Sequence, residues 1–242
     1  MREELMNRKR STTVFCGILA LIVAVVAPSR VQGQDTKNPY PNMAPLEQYL
    51  MDRDAEITLA RSAAPEGISH DATILVLGRH GYETAIEGKN GFVCLVQRAW
   101  TGPSDSPEFW NQKNRSPICL NPQAVRSILP ITAKVTEIAV TTQSKAQIIE
   151  WLKKASDQKE LPALEPGAMS YMMSKVAYLT DQGSHNLAHV MFYAPIMDGA
   201  NWGADLPNSP VSLLQKGPPE PFSLFIVPVG KWSDGTPAPL PK

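Results

Sequence analysis

The chain is poor in the residues that most often carry chemistry, with three cysteines and four histidines in 242 residues. No H-E-x-x-H is present to build a zincin-type metal helix, and no G-x-S-x-G elbow to raise a serine nucleophile. No glycine-rich phosphate cradle or dinucleotide fingerprint follows an apolar run, which argues against nucleotide cofactors. Basic runs are missing beyond Arg10, so the chain lacks the surface that displaces phosphate counterions, and nucleic acid is set aside as a partner. The one long apolar run, Val14 to Ala27, is shorter than the ~18 to 20 residues that cross a bilayer comfortably.

That run follows Arg8, Lys9 and Arg10 and ends at Pro28, the shape of a secretory leader. Residues 1–33 are therefore expected to be a signal peptide cleaved after Gly33, where Val31 and Gly33 supply the small residues. Cleavage after Ala27 would place Pro28 directly beyond the bond. Cys16 sits inside the apolar run and so is not placed to become a lipid-carrying N-terminus. Loss of the leader leaves 18 basic and 21 acidic residues. The expectation is a secreted or periplasmic protein, free of the membrane after cleavage, with no cofactor and no metal. In an exported chain the remaining pair, Cys94 and Cys119, invites a disulfide. Two buried thiols are the alternative, because spacing alone does not supply the Cα separation a bridge needs.

The patterning reads as one α+β domain over 44–232, preceded by a flexible segment 34–43 and followed by an extended proline-rich tail 233–242. A cover helix is expected from Pro45 to Pro65, with Leu46, Tyr49, Leu50, Ile57 and Ala60 at helical spacing. A meander follows, Thr73 to Leu77, Tyr82 to Glu87 and Phe92 to Trp100, with Asn90-Gly91 as a hairpin signal. Phe109 and Trp110 lie in the loop 101–117. Asn121 and Ser144 open helical segments as N-caps, and Pro130 interrupts the first of them. Ala168 to Pro195 reads as two strands around the turn Asp181-Gln182-Gly183-Ser184, apolar on both parities and hence central in the sheet. Val211 to Leu214 and Phe222 to Val229 complete a mainly antiparallel sheet of about five to seven strands, with two or three helices inserted between the strand groups. This element order loosely resembles the profilin-like and PAS-like sensor folds, a resemblance that implies a ligand on a sheet face.

The histidines His185 and His189 are the sharpest chemical feature. On a helix their four-residue gap would bring both to one ion, but on a strand it separates them by ~13 Å. Val190 to Tyr193 reads as strand, so no shared metal is expected. A secreted hydrolase would use His189 as general base with Asp181 and one of Ser170, Ser174 or Ser184. The preferred reading is an exported protein that binds a small molecule or a protein partner between its sheet and loops, lined by Trp110, Asp181, His185, His189, Trp202 and Asp205. A structural envelope protein without a cleft is the third option.

Overall fold

Runs that are apolar on both parities cannot face water on either side, and here they occupy the middle of a single mixed sheet. The computed structural model describes residues 38–182 and 185–240; the leader and the Gly33 cleavage site lie outside the described residues, as does Ser184. The strands are β1 (Thr73–Gly78), β2 (Gly81–Ile86), β3 (Val93–Gln97), β4 (Ser116–Leu120), β5 (Met169–Met172), β6 (His189–Ala194), β7 (Ser212–Lys216) and β8 (Ser223–Pro228). They form one sheet in the order β2-β1-β3-β4-β5-β6-β8-β7. Every neighbouring pair is antiparallel except β1 and β3. The count of eight exceeds the expected five to seven.

Five helices accompany the sheet among the described residues: α1 (Arg53–Arg61), α2 (Glu66–Ser69), α3 (Pro122–Ser127), α4 (Leu129–Thr142) and α5 (Lys145–Asp157). Sheet alternation divides the core into two layers. Leu95, Ile118, Leu120, Met172 and Met191 pack with Ala124, Ile131, Val135, Ile148 and Leu152 from α3 to α5. Ile74, Cys94, Val96 and Cys119 pack on the opposite face with Ala60, Ala63 and Ala64. The Asn121 side chain caps α3 through Ala124 N, Ser144 caps α5 through Gln147 N, and Pro130 falls in the first turn of α4, where its missing N–H costs nothing.

The N-terminal helix is shorter than its periodicity predicts. Leu46–Gln48 forms a 3-10 turn, and the α-helix begins only after Asp52, whose carboxylate accepts from Asp54 N and Ala55 N. Between them Tyr49 turns fully inward and donates its hydroxyl to the Trp110 carbonyl oxygen at 2.7 Å. A capping carboxylate and a buried tyrosine outweigh the continuous apolar spacing.

The Asn90-Gly91 hairpin is also corrected. β3 does not pair with β2 but runs parallel to β1 on its other side. The chain passes against the start of β1, with Lys89 N donating to Asp71 O at 2.7 Å and Thr73 N to Phe92 O at 2.9 Å. Glycine is required at 88, since a Cβ there would lie 2.1 Å from Thr73 N. The Asn90 side chain donates to Ile68 O and accepts from Phe92 N, tying this crossover instead of closing a two-residue turn.

β5 and β6 do pair as expected, Met169 with Phe192 and Met172 with His189. Their connection is a sixteen-residue excursion, 173–188, rather than a tight turn at Asp181. It is pinned to the start of β4 by the bridge between Arg115 and Tyr178. The start of the tail is held to the body: Lys231 pairs with Pro237, Ser233 N donates to Met173 O, and Asp234 binds Lys175.

Candidate functional site

Strand β6 alternates strictly, so His189, Met191 and Tyr193 share one face while Val190 and Phe192 share the other. Register places Met172 opposite His189, Ile226 opposite Met191 and Leu224 opposite Tyr193. Together with Gln215 of β7 these side chains floor a cavity of about 400 Å³. Its roof comes from the loop following β3, Thr101 to Asn114, from Leu179, Thr180 and Leu187 of the 173–188 excursion, and from Ile128 and Thr132 at the helical side. A smaller cavity of about 50 Å³ abuts it, sharing Ile128, Thr132, Gln215 and Phe222 and continuing toward Val135 and Leu152. Compared with known family models, curated proteins and solved structures, the chain matches none.

The charged groups at the cavity wall are already committed. Arg98 is 1% exposed and donates to Glu56 at 2.9 Å and to the carbonyl oxygens of Tyr49 and Val96. The Glu108 carboxylate accepts from Thr180 Oγ1, Asp181 N and Asn111 Nδ2, and so staples the two roof loops together. Asn114 donates to Leu179 O and accepts from Ser116 Oγ.

His189 differs from these. It is 4% exposed, and its Nδ1 contacts the Leu187 carbonyl oxygen at 2.8 Å. A carbonyl only accepts, so Nδ1 carries the proton and Nε2 of the neutral ring keeps a lone pair. Burial disfavours the imidazolium and lowers the histidine pKa, against a smaller opposing effect of the Leu187 hydrogen bond. Among the described residues Nε2 has no protein partner, while the only sealed side-chain atom without one is Arg61 Nε. The His189 ring lines the cavity. At the far end of the same row the Tyr193 hydroxyl pairs with Ser170 Oγ at 3.2 Å, and burial pushes its pKa up to about 12.

Of the residues singled out from sequence, His189 alone lines this cavity. Trp110 is a core plug, 4% exposed and edge-on to Phe109 with centroids 4.8 Å apart, and borders only a separate surface cleft near Tyr40 and Lys145. Asp181 accepts from Tyr40 and Tyr178 hydroxyls, from Lys113 and from Asn111, and these donors hold its carboxyl well below the usual carboxylate range. His185 stacks on Tyr178 at 4.5 Å, its Nδ1 donating to Thr180 O. Trp202 stacks on Phe225 at 4.3 Å on the opposite side of the sheet. Asp205 adopts a left-handed turn at φ 58° and accepts from Leu213 N. The expected lining set is thus dispersed over both faces.

No serine of the described residues joins His189. Ser170 pairs with Tyr193, and Ser174 with Ser62 at 2.7 Å. Among the described residues no group of three metal-ligating side chains could hold an ion, and no helix is long and apolar enough to cross a membrane. Cys94 and Cys119 are directly opposed in the β3–β4 register, with Cα atoms 4.0 Å apart, and form a disulfide. Sequence reasoning missed Met172, Met191, Tyr193, Gln215 and Leu224. The signal for two of them was present, since Met191 and Tyr193 share the parity of His189.

Proposed function

We propose that the protein is an exported binding protein whose cavity over β6 holds a small, largely apolar molecule. The observation that carries this reading is the cavity itself: about 400 Å³, within the roughly 300 to 1,000 Å³ range of small-molecule sites. Its wall surface is largely apolar, from Met, Leu, Ile and Phe side chains, with His189, Thr132 and Gln215 among the polar residues, a mixture usual in such a site. The leader-like N-terminus and the disulfide support export.

The hydrolase alternative has less support, because the described serines are committed away from His189. A purely structural envelope protein has no use for a cavity of this size, and filling it would raise stability.

Thermal unfolding tests the reading, since a molecule that binds only the folded state raises the melting temperature. A panel of uncharged apolar molecules should stabilise the wild type and fail to stabilise Met191→Trp or Ile226→Phe, which fill the floor. Equal shifts in all three proteins, or no shift in the wild type, would reject it.

A further inference from the structure

We infer that the cavity selects an elongated, uncharged molecule carrying one hydrogen-bond donor, such as an aliphatic alcohol, with that donor on Nε2 of His189. This rests on the cavity-binding reading and adds the ligand's chemical class. Three features converge on it.

The first is length. His189, Met191 and Tyr193 are spaced at i, i+2 and i+4 on β6, so the floor runs about 13 Å from one polar end toward Phe222. Between those ends Met172, Met191, Leu224 and Ile226 supply hydrocarbon and thioether surface, with Gln215 of β7 beside them. A chain lies along it, and the abutting smaller cavity beyond Phe222 and Ile128 receives its tip.

The second is polarity at the His189 end. With Nδ1 donating to Leu187 O, the neutral ring offers an acceptor and no donor to the cavity. The complementary ligand group is therefore O–H or N–H. At Nε2 an ether oxygen or a ketone would face a lone pair with another lone pair.

The third is charge. A carboxylate would need a cation, yet the Arg98 guanidinium is bound to Glu56, Tyr49 O and Val96 O. An ammonium group would need an anion, yet Glu108 is bound by Thr180, Asn111 and the Asp181 backbone. An unpaired charge buried here would forgo its hydration without repayment.

Calorimetric titration of the purified protein at neutral pH with n-octanol, methyl heptyl ether, octanoate and octylamine tests the inference. Octanol is expected to bind roughly tenfold tighter than the ether, the difference made by leaving a buried acceptor unpaired. Octanoate and octylamine are expected to bind more weakly still. His189→Leu should bind octanol and ether equally. His189→Gln, whose side-chain carbonyl again accepts, should restore part of the preference and serves if the leucine variant does not fold. Equal binding of octanol and ether by the wild type overturns the ligand class while leaving the cavity reading intact. Tightest binding by octanoate or octylamine also overturns it. Failure of all four probes, with Met191→Trp indistinguishable from wild type, overturns the cavity reading and the inference with it.

Discussion

The Nδ1–H of His189 donates to the carbonyl oxygen of Leu187, 2.8 Å away and two residues earlier in the chain. This one bond fixes the tautomer, and with it the polarity that the cavity meets.

The same buried ring makes stability depend on pH. Its folded pKa lies below the ordinary 6.5, so the unfolded chain takes up a proton that the folded protein resists. The stabilisation is full above about pH 6.5 and is lost as pH falls through that value toward the folded pKa. Urea midpoints measured from pH 8 to 5, as an order-of-magnitude window about the histidine range, should fall more for wild type than for His189→Leu. Parallel curves would show that the ring is not buried neutral.

Glu56 and Arg98 form an ion pair with side chains 1% and 0% exposed. Glu56 also accepts from Leu77 N, tying α1 to β1. Removing one partner leaves the other charged and sealed, so Arg98→Met should cost about 3 to 5 kcal/mol in chemical unfolding. The double replacement Glu56→Leu with Arg98→Met should recover much of that loss. A single variant as stable as wild type would mean that water reaches the pair.

Asp181 holds the N-terminal segment through Tyr40 and the excursion through Tyr178. Asp181→Asn replaces a charged acceptor by a weaker one, a loss comparable to one hydrogen bond. Limited proteolysis near Tyr40 should accelerate by roughly tenfold, the factor that such a bond represents. An unchanged cleavage rate would leave Asp181 without a role in anchoring the segment. In wild type this contribution is present above the ordinary carboxylate pKa and is lost as pH falls through the much lower folded value.

The cross-strand bridge closes a loop of 25 residues between Cys94 and Cys119. Reduction is expected to lower stability by about 3 kcal/mol on the chain-entropy model. Protein lacking residues 1–33, unfolded in denaturant, should take up no iodoacetamide until reductant is added, and two equivalents afterwards. Alkylation of both thiols without reductant would contradict the bridge.

Local signals carried part of this architecture and non-local ones the rest. The caps at Asn121 and Ser144 and the two-faced strands of 169–194 were legible because each depends on neighbours in sequence. Asn90-Gly91 misled because its conformation is dictated by Asp71 and Ile68, some twenty residues away. Trp202 and Asp205 lie in a loop whose local pattern does not say which face of the sheet it covers. Only register and stacking on Phe225 assign Trp202 to the far face. His189 was legible as a residue of interest, but its neighbours were not. Met172, Leu224 and Gln215 reach it through strand pairings that no local pattern encodes.

Methionine methyl groups offer the most direct test of the cavity, because Met172 and Met191 line it whereas Met197 packs on the opposite face and Met51 beside α1. With the methyl carbons labelled, titration of n-octanol should shift the Met172 and Met191 resonances saturably and leave Met51 and Met197 in place. Shifts confined to Met51 or Met197, or none at saturating octanol, would contradict a ligand site over β6.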